Sequence, residues 1–173
     1  MLTRSIVMNR HAIVSTRIGD LTLVASDHAL AGVYFPHHWV KPAPSTLGEK
    51  VSSTDPVLSE AARQLDEYLT GARTSFDLPT VLRGDDFQRR VWSLLEEIPY
   101  GGTTSYGQIA ARLGESAQAV GKAVGQNPLS IVVPCHRVVG KNGSLTGYAG
   151  GLKRKQLLLD LEEPAEVKAA RLF

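Results

Sequence analysis

A chain of 173 residues, 43% hydrophobic and 21% charged, has the composition of one ordinary globular domain or two small ones, with enough apolar side chains for a real core. One cysteine excludes an internal disulfide and a cysteine metal cluster, and no stretch approaches the roughly 18 to 20 apolar residues that a membrane helix needs. The net charge of +2 does not by itself announce a nucleic-acid partner, but it is uneven: residues 1–82 hold seven Lys/Arg against eight Asp/Glu, and residues 83–173 hold twelve against nine.

A single free thiol suits a reducing compartment, so cytoplasm is the expected location. The opening segment MLTRSIVMNRHAIVSTRIGD has no apolar run of signal-peptide length, which fits that expectation. HAIVST, DLTLVAS and LAGVYF are short, β-branched and aromatic stretches separated by the turn-prone pairs Gly19-Asp20 and Ser26-Asp27, which predicts a small antiparallel sheet. From Pro36 to Thr54 the chain turns to Pro, Ser, His and Lys, and an irregular connection is expected. The paired His37 and His38 fall in that loop and are read as solvated rather than metal-binding. Asp55 then caps PVLSEAARQLDEYLTG, with Pro56 at the first helical position and Leu58, Ala61, Ala62, Leu65, Tyr68 and Leu69 at helical spacing.

TSFDLPTVLRG has the look of a linker between two halves. After it, FQRRVWSLLEEIPYGG places Phe87, Val91, Leu94, Leu95 and Ile98 along one helical stripe. Thr104 or Ser105 can cap a helix YGQIAARLG ending at Gly114, and Glu115-Ser116 open a second, SAQAVGKAVGQN. Two short helices around a glycine turn make the outline of a helix-turn-helix, which many helical hairpins share without binding DNA. Asn127-Pro128 ends the second helix, a strand-like LSIVVP follows, GKNGSLTGYAGG reads as a flexible loop, and LKRKQLLLDLEE is a last helix stopped by Pro164.

Cys135 sits in IVVPCHRVVG, between a proline and His136-Arg137. The bland reading of a lone intracellular cysteine is a small buried hydrophobe. Polar neighbours that are costly to bury without partners favour a reactive thiol instead. Thiol chemistry runs through the thiolate, which needs a nearby base, and His136 can supply one.

PCHRV, preceded by NP and followed by a Gly-Tyr-Ala-Gly-Gly loop, resembles the active-site signature of the methylated-DNA–protein-cysteine methyltransferases, the O6-alkylguanine-DNA alkyltransferases. The likeness runs from FQRRVW through SYGQIA, AVGKAVGQNP, IVVPCHRVVG and TGYAGG to LLLDLE, and ordered motifs in series are far more specific than any one of them. It implies an α/β (α+β) fold, with a small antiparallel sheet and helix, ribonuclease-H-like, over residues 1–80. Over residues 81–173 it implies a mostly helical, winged-helix-like domain carrying the helix-turn-helix. By that resemblance Cys135 is the alkyl acceptor, His136 the base acting on the thiol through water, and Glu162 the carboxylate that orients His136. Asn127 is the hinge that knits the helix-turn-helix to the active-site segment, and Tyr106 delivers a proton to N3 of the leaving base. Taken without the family, Glu162 is a solvated carboxylate, Asn127 a helix cap and Tyr106 a packing residue.

Backbone groups at Cys135, Val138, Tyr148 and Ala149 match those that recognise the guanine edge, and Arg137 is counted with the substrate and DNA contacts. Small residues at Ala119, Gly121, Ala123 and Gly125 suit either close approach to a minor groove or tight helix packing. The resemblance implies single-turnover transfer from O6-alkylguanine, and from O4-alkylthymine as an open question, with double-stranded DNA as partner, the target base flipped out, and no cofactor or metal. A monomer is expected, with clustering on DNA left open. The sequence departs from the family at Gln118, where an arginine that fills the gap of the flipped base is expected. Arg112, one turn earlier, is a candidate to compensate. The alternative is therefore a protein that binds alkylated DNA with impaired flipping or transfer. Two further readings are a cysteine hydrolase pairing Cys135 with His11, His28, His37 or His38, and a regulatory helix-turn-helix module with a structural cysteine.

Overall fold

The computed structural model describes residues 8–37, 42–52 and 54–170. β1 (Asn9–Thr16), β2 (Gly19–Ser26) and β3 (Ala29–Tyr34) pair antiparallel in sequence order, and Leu21, Leu23 and Ala25 line one face of β2. That alternation puts their side chains wholly inside while Asp20 remains exposed. The first turn falls at Arg17-Ile18 rather than at Gly19-Asp20: Gly19 already pairs with Thr16, whose hydroxyl both donates to the Gly19 carbonyl and accepts from the Ile18 N–H.

The expected loop from Pro36 to Thr54 contains structure that its composition hid. α1 (Pro44–Leu47) is one turn long, and β4 (Glu49–Lys50) adds a parallel partner to β1 at Arg10 and His11. The sheet is thus mixed, in the order β3-β2-β1-β4. Gly48 makes this possible: its φ is +66°, and a Cβ there would lie 1.8 Å from the Asn9 carbonyl oxygen. His38 lies outside the described residues.

α2 (Pro56–Leu69) starts at Asp55, whose carboxylate accepts from the Val57 and Leu58 N–H groups as expected of a cap. Leu58, Ala61, Leu65 and Tyr68 are buried under the sheet, each large apolar side chain worth about 1.5–3 kcal/mol of burial. Gln64 shares this buried face, and its amide bonds both the N–H and the carbonyl of Asp77 at 2.9 Å. The connection read as a linker is therefore pinned. Its Pro79 and Val81 bond to Leu30 at the open edge of β3.

α3 (Asp86–Glu96) opens with a capping box between Asp85 and Gln88. Val91, Leu95 and Ile98 of the expected stripe are buried, Phe87 and Leu94 only partly, and Trp92, outside that stripe, is 1% exposed with its indole N–H donating to the Ala123 carbonyl at 2.8 Å. β5 (Thr104–Ser105) leads into α4 (Tyr106–Leu113), capped by Ser105, and α5 (Ala117–Gly125), capped by Ser116. Between them Gly114 turns the chain at φ +66°.

Residues 129–134 do not form the expected strand. Ile131 sits at φ 72°, and the segment closes on itself through Val133 N–H to Leu129 carbonyl at 2.8 Å. Cys135–Arg137 is a single 3-10 turn, followed by β6 (Val138–Val139), which pairs parallel with β5. α6 (Leu152–Glu162) is not the last helix, since α7 (Ala165–Ala170) follows Pro164. One hydrophobic cluster runs from Ala12 in β1 through Leu65, Trp92 and Val120 to Leu158 in α6. Among the described residues no helix is long and apolar enough to cross a membrane.

Candidate active site

Asn127 builds the platform for the thiol. Its side chain is 2% exposed, donates to the Val133 carbonyl at 2.9 Å and accepts from the Leu129 N–H at 3.0 Å. Those bonds hold a turn that would otherwise bury unpaired backbone groups, and they bring the end of α5 against the segment that carries Cys135. Cys135 is 5% exposed at the wall of a cavity of about 390 Å³, which Tyr106, Gln118, Asn127, Ser130 and Tyr148 also line.

Behind the cysteine lies a buried polar cluster. His136 Nε2 is 2.8 Å from Glu162 Oε2, and Arg137 grips the same carboxylate with Nε at 2.7 Å and Nη2 at 2.9 Å. Arg137 Nη1 also donates to the Ile98 carbonyl at 2.7 Å. Burial drives His136 well below its ordinary range, and the Arg137 and Lys155 charges push the same way, so the imidazole is neutral at physiological pH. A neutral ring that donates from Nε2 to Glu162 keeps a lone pair on Nδ1, which is buried and bonds to no protein group. Burial pushes the Glu162 carboxyl up, against a hydrogen bond from the Gly101 backbone. The two charge-assisted bonds from Arg137 oppose that push and hold the carboxylate ionised.

α6 supplies a second buried cation. Lys155, Leu158 and Glu162 form the buried face of this helix, and Lys155 is 0% exposed. Its Nζ donates to the Thr146 carbonyl at 2.8 Å and lies 5.9 Å from the centre of the Tyr106 ring. Burial lowers the Lys155 ammonium to about 8. Burial also pushes the Cys135 thiol up, while the Asn127 side chain and the Lys155 charge act in the opposite direction. Tyr106 is raised by burial and shares a side-chain hydrogen bond with Thr146.

The structure thus brings together Cys135, Asn127, Tyr106, Tyr148, Ala149, Gln118 and Gly121 around one cavity, with His136 and Glu162 directly behind it. It does not bring the others. Arg137, placed among substrate and DNA contacts from sequence, is 8% exposed and committed to Glu162 and Ile98, which no phosphate could displace without unpairing a buried carboxylate. Arg112 pairs with Glu97 at 3.0 Å beside a different cavity. Val138 is fully buried in β6, with its N–H donating to the Cys135 carbonyl. Ala119 lies partly buried on α5, and Ala123 is buried against Trp92, so tight packing is what its size serves. Of the distant histidines, His11 bonds the Leu47 carbonyl, His28 is exposed after β2, and His37 lines a separate cavity.

Sequence reasoning missed Lys155 and Ser130. A lysine three and seven residues before Leu158 and Glu162 stands on their helical face, and that spacing was the available signal. Ser130, fully buried with an unpaired Oγ in the cavity wall, carried no signal, because it fell inside the strand-like LSIVVP, where a small polar residue reads as one more strand position.

Residues 9–82 match the model of the ribonuclease-like domain of 6-O-methylguanine DNA methyltransferase, and residues 86–164 match that of its DNA binding domain. The methylated-DNA–protein-cysteine methyltransferase of Mycolicibacterium paratuberculosis is 44% identical over 168 residues, 96% of this chain and 99% of the relative. That of Methanosarcina acetivorans is 40% identical over 163 residues, 88% of this chain and 97% of the relative. The crystal structure of the Mycobacterium tuberculosis O6-methylguanine methyltransferase superposes with a TM-score of 0.78 at 41% identity, covering 94% of this chain and 99% of that one. The Mycobacterium tuberculosis OGT in complex with DNA superposes with a TM-score of 0.77 at 41% identity, covering 91% and 97%. With curated relatives matched end to end and the buried Cys135, His136 and Glu162 in place, the chain belongs to the 6-O-methylguanine DNA methyltransferase family, the methylated-DNA–protein-cysteine methyltransferases.

Proposed function

We propose that this chain repairs DNA by transferring the alkyl group of O6-alkylguanine to Cys135, once per molecule. The observation that carries the reading is the cysteine at the wall of a ligand-sized cavity, backed by a neutral histidine held by Glu162. His136 Nδ1 accepts the thiol proton through a water molecule. Sγ then attacks the alkyl carbon from the side opposite O6; the carbon–O6 bond breaks, and its electron pair returns to the purine. Tyr106 donates its hydroxyl proton to N3, so guanine leaves neutral. The product is a thioether on Cys135, and no step returns it to a thiol. Lys155 holds the Thr146 carbonyl and favours the thiolate through its charge, while Asn127 keeps Cys135 in register. Neither a metal nor a cofactor enters this scheme.

Two units serve the chemistry: an N-terminal α/β unit over residues 1–80 and an alkyltransferase unit over residues 81–173. α4 and α5 act as a helix-turn-helix against the minor groove of double-stranded DNA, with the alkylated base extruded into the cavity and the protein acting as a monomer in the cytoplasm. The solved DNA complex of a 41% identical relative supports DNA as the partner. Gln118 is exposed at the cavity mouth and carries no charge, which favours slower flipping than an arginine would give. Repair of duplex substrate should therefore rise in Gln118→Arg while repair of single-stranded substrate stays level; an unchanged duplex rate removes that refinement.

The main reading is tested by incubation with an oligonucleotide containing O6-methylguanine, followed by mass measurement of the Cys135 peptide. One methyl group, at most one per protein molecule, is expected. Multiple turnover or no transfer refutes the assignment.

A further inference from the structure

The wall of the cavity formed by residues 147–151 is thin. Gly147, Tyr148 and Ala149 line the cavity of about 390 Å³ that holds Cys135, and the same residues with Gly150, Gly151 and Arg154 line a second cavity of about 340 Å³ on the other side. A loop with space on both faces has no reason to stay put unless something braces it. α6 holds the loop's backbone, and the brace on the Tyr148 ring comes from the N-terminal half. Phe35, just beyond β3 and 3% exposed, meets the Tyr148 ring edge-on, with centroids 5.5 Å apart and planes at 68°. Its ring occupies the room a side chain at position 150 would need: a Cβ on Gly150 would lie 2.8 Å from it. Arg154 completes the clamp, with its guanidinium 5.4 Å from the Phe35 ring centre, Nε bonded to the Ile18 carbonyl at 2.7 Å and Nη1 to the Gly150 carbonyl at 3.1 Å.

From this geometry we infer that Phe35 is a positioning residue that limits how far the Tyr148 wall can retreat, and so sets the size of alkyl group that Cys135 can accept. It touches neither the reacting atoms nor the cavity and acts through Tyr148 and Gly150. An edge-on aromatic pair of this kind is attractive beyond its burial, enough to bias a loop between two arrangements. Removing the ring leaves a void against Tyr148 into which that side chain can retreat, which enlarges the alkyl site. Adding a methyl at Gly150 has the opposite consequence, because the Phe35 ring behind it forces the wall toward Cys135.

The two substitutions therefore make a signed test. Transfer rates are measured on the full chain with two oligonucleotides, one carrying O6-methylguanine and one O6-benzylguanine, and the benzyl-to-methyl ratio is read. The ratio should rise by roughly tenfold in Phe35→Ala, the scale at which an apolar pocket discriminates by size, and fall in Gly150→Ala. Phe35→Leu, which keeps apolar contact with a smaller side chain, should fall between wild type and Phe35→Ala, and it carries the test if Phe35→Ala does not fold. A merely structural brace lowers both rates together and leaves the ratio at its wild-type value, and that result in the Phe35 variants overturns the proposal. The inference rests on the reading of the cavity as the alkylguanine site. Failure of the wild-type chain to transfer either group overturns both, whereas transfer with an unmoved ratio overturns this one alone.

Discussion

Glu162 is the residue on which the active-site chemistry and the stability of the site meet. It accepts from His136 and twice from Arg137 while almost wholly buried, so three polar groups depend on its charge. Replacing it with glutamine keeps the shape, leaves the Arg137 guanidinium buried without a counter-ion, and frees the imidazole to adopt the other tautomer. Loss of one partner from a buried pair costs about 3–5 kcal/mol, and Glu162→Gln should lose that much by denaturant titration. Its methyl-transfer rate should fall at least in proportion to the misplaced tautomer, on the order of tenfold or more. Retention of wild-type stability would show that the carboxylate is protonated in the folded chain.

Lys155 makes a separate prediction through pH. Its ammonium is lowered to about 8, so its charge is present below that value and lost as pH rises through it. The charge favours the Cys135 thiolate, hence thiolate formation should gain less from each added pH unit above about 8 than below. The curve of transfer rate against pH should bend there in the wild type, and Lys155→Met should be slower below the bend and show no bend. For stability the sign differs. A folded-state value below the unfolded one means that the charged form is penalised, fully so below about 8, and that this penalty is relieved as pH rises toward 10.5.

At the scale of elements, caps and amphipathic stripes were legible. Asp55 and Pro56 announced α2, Ser105 and Ser116 announced α4 and α5, and each cap makes the bond its residue type led one to expect. Residues 129–134 were not legible, for a physical reason. Ile131, Val132 and Val133 have the composition of a strand, but the amide of Asn127 takes the backbone groups a sheet partner would need, and Ile131 adopts a left-handed φ that the pattern could not show. Trp92 was hidden differently: it lies outside the helical stripe and became central because α5 offers the Ala123 carbonyl to its N–H. The small residues of α5 can be separated by experiment. A Cβ on Gly121 would sit 3.8 Å from the Tyr106 ring, ordinary contact with room to spare. Gly121→Ala should therefore hold or raise stability, by up to about 1 kcal/mol of helix propensity, yet weaken duplex binding if this face lies against DNA. Fluorescence anisotropy with a labelled duplex beside a thermal melt separates the outcomes; unchanged binding would assign Gly121 to folding alone.

At the scale of the molecule, the sequence pattern drew a boundary that packing crosses. TSFDLPTVLRG reads as a linker because it holds turn formers and no periodicity, and nothing local reveals that Gln64 grips Asp77 or that Pro79 and Val81 bond the edge of β3. The same edge reaches the catalytic half, where the Val33 N–H donates to the Pro128 carbonyl at 2.8 Å, next to Asn127. Arg83 bonds Ser26 at 2.7 Å and so ties the start of the second half to the end of β2. Together with the continuous apolar cluster, these contacts leave neither half a closed core of its own. The chain should then unfold in one transition, with equal calorimetric and van't Hoff enthalpies. Amides of β2 and α5 should exchange with hydrogen isotopes at one shared free energy rather than in two tiers. Arg83→Met, which removes a tie without touching the Cys135 cavity, should lower that shared value for both elements at once. A drop confined to one of them, or a melt that splits in two, would mean that the sheet and the catalytic half are separately stable and that the brace from Phe35 joins two independent bodies.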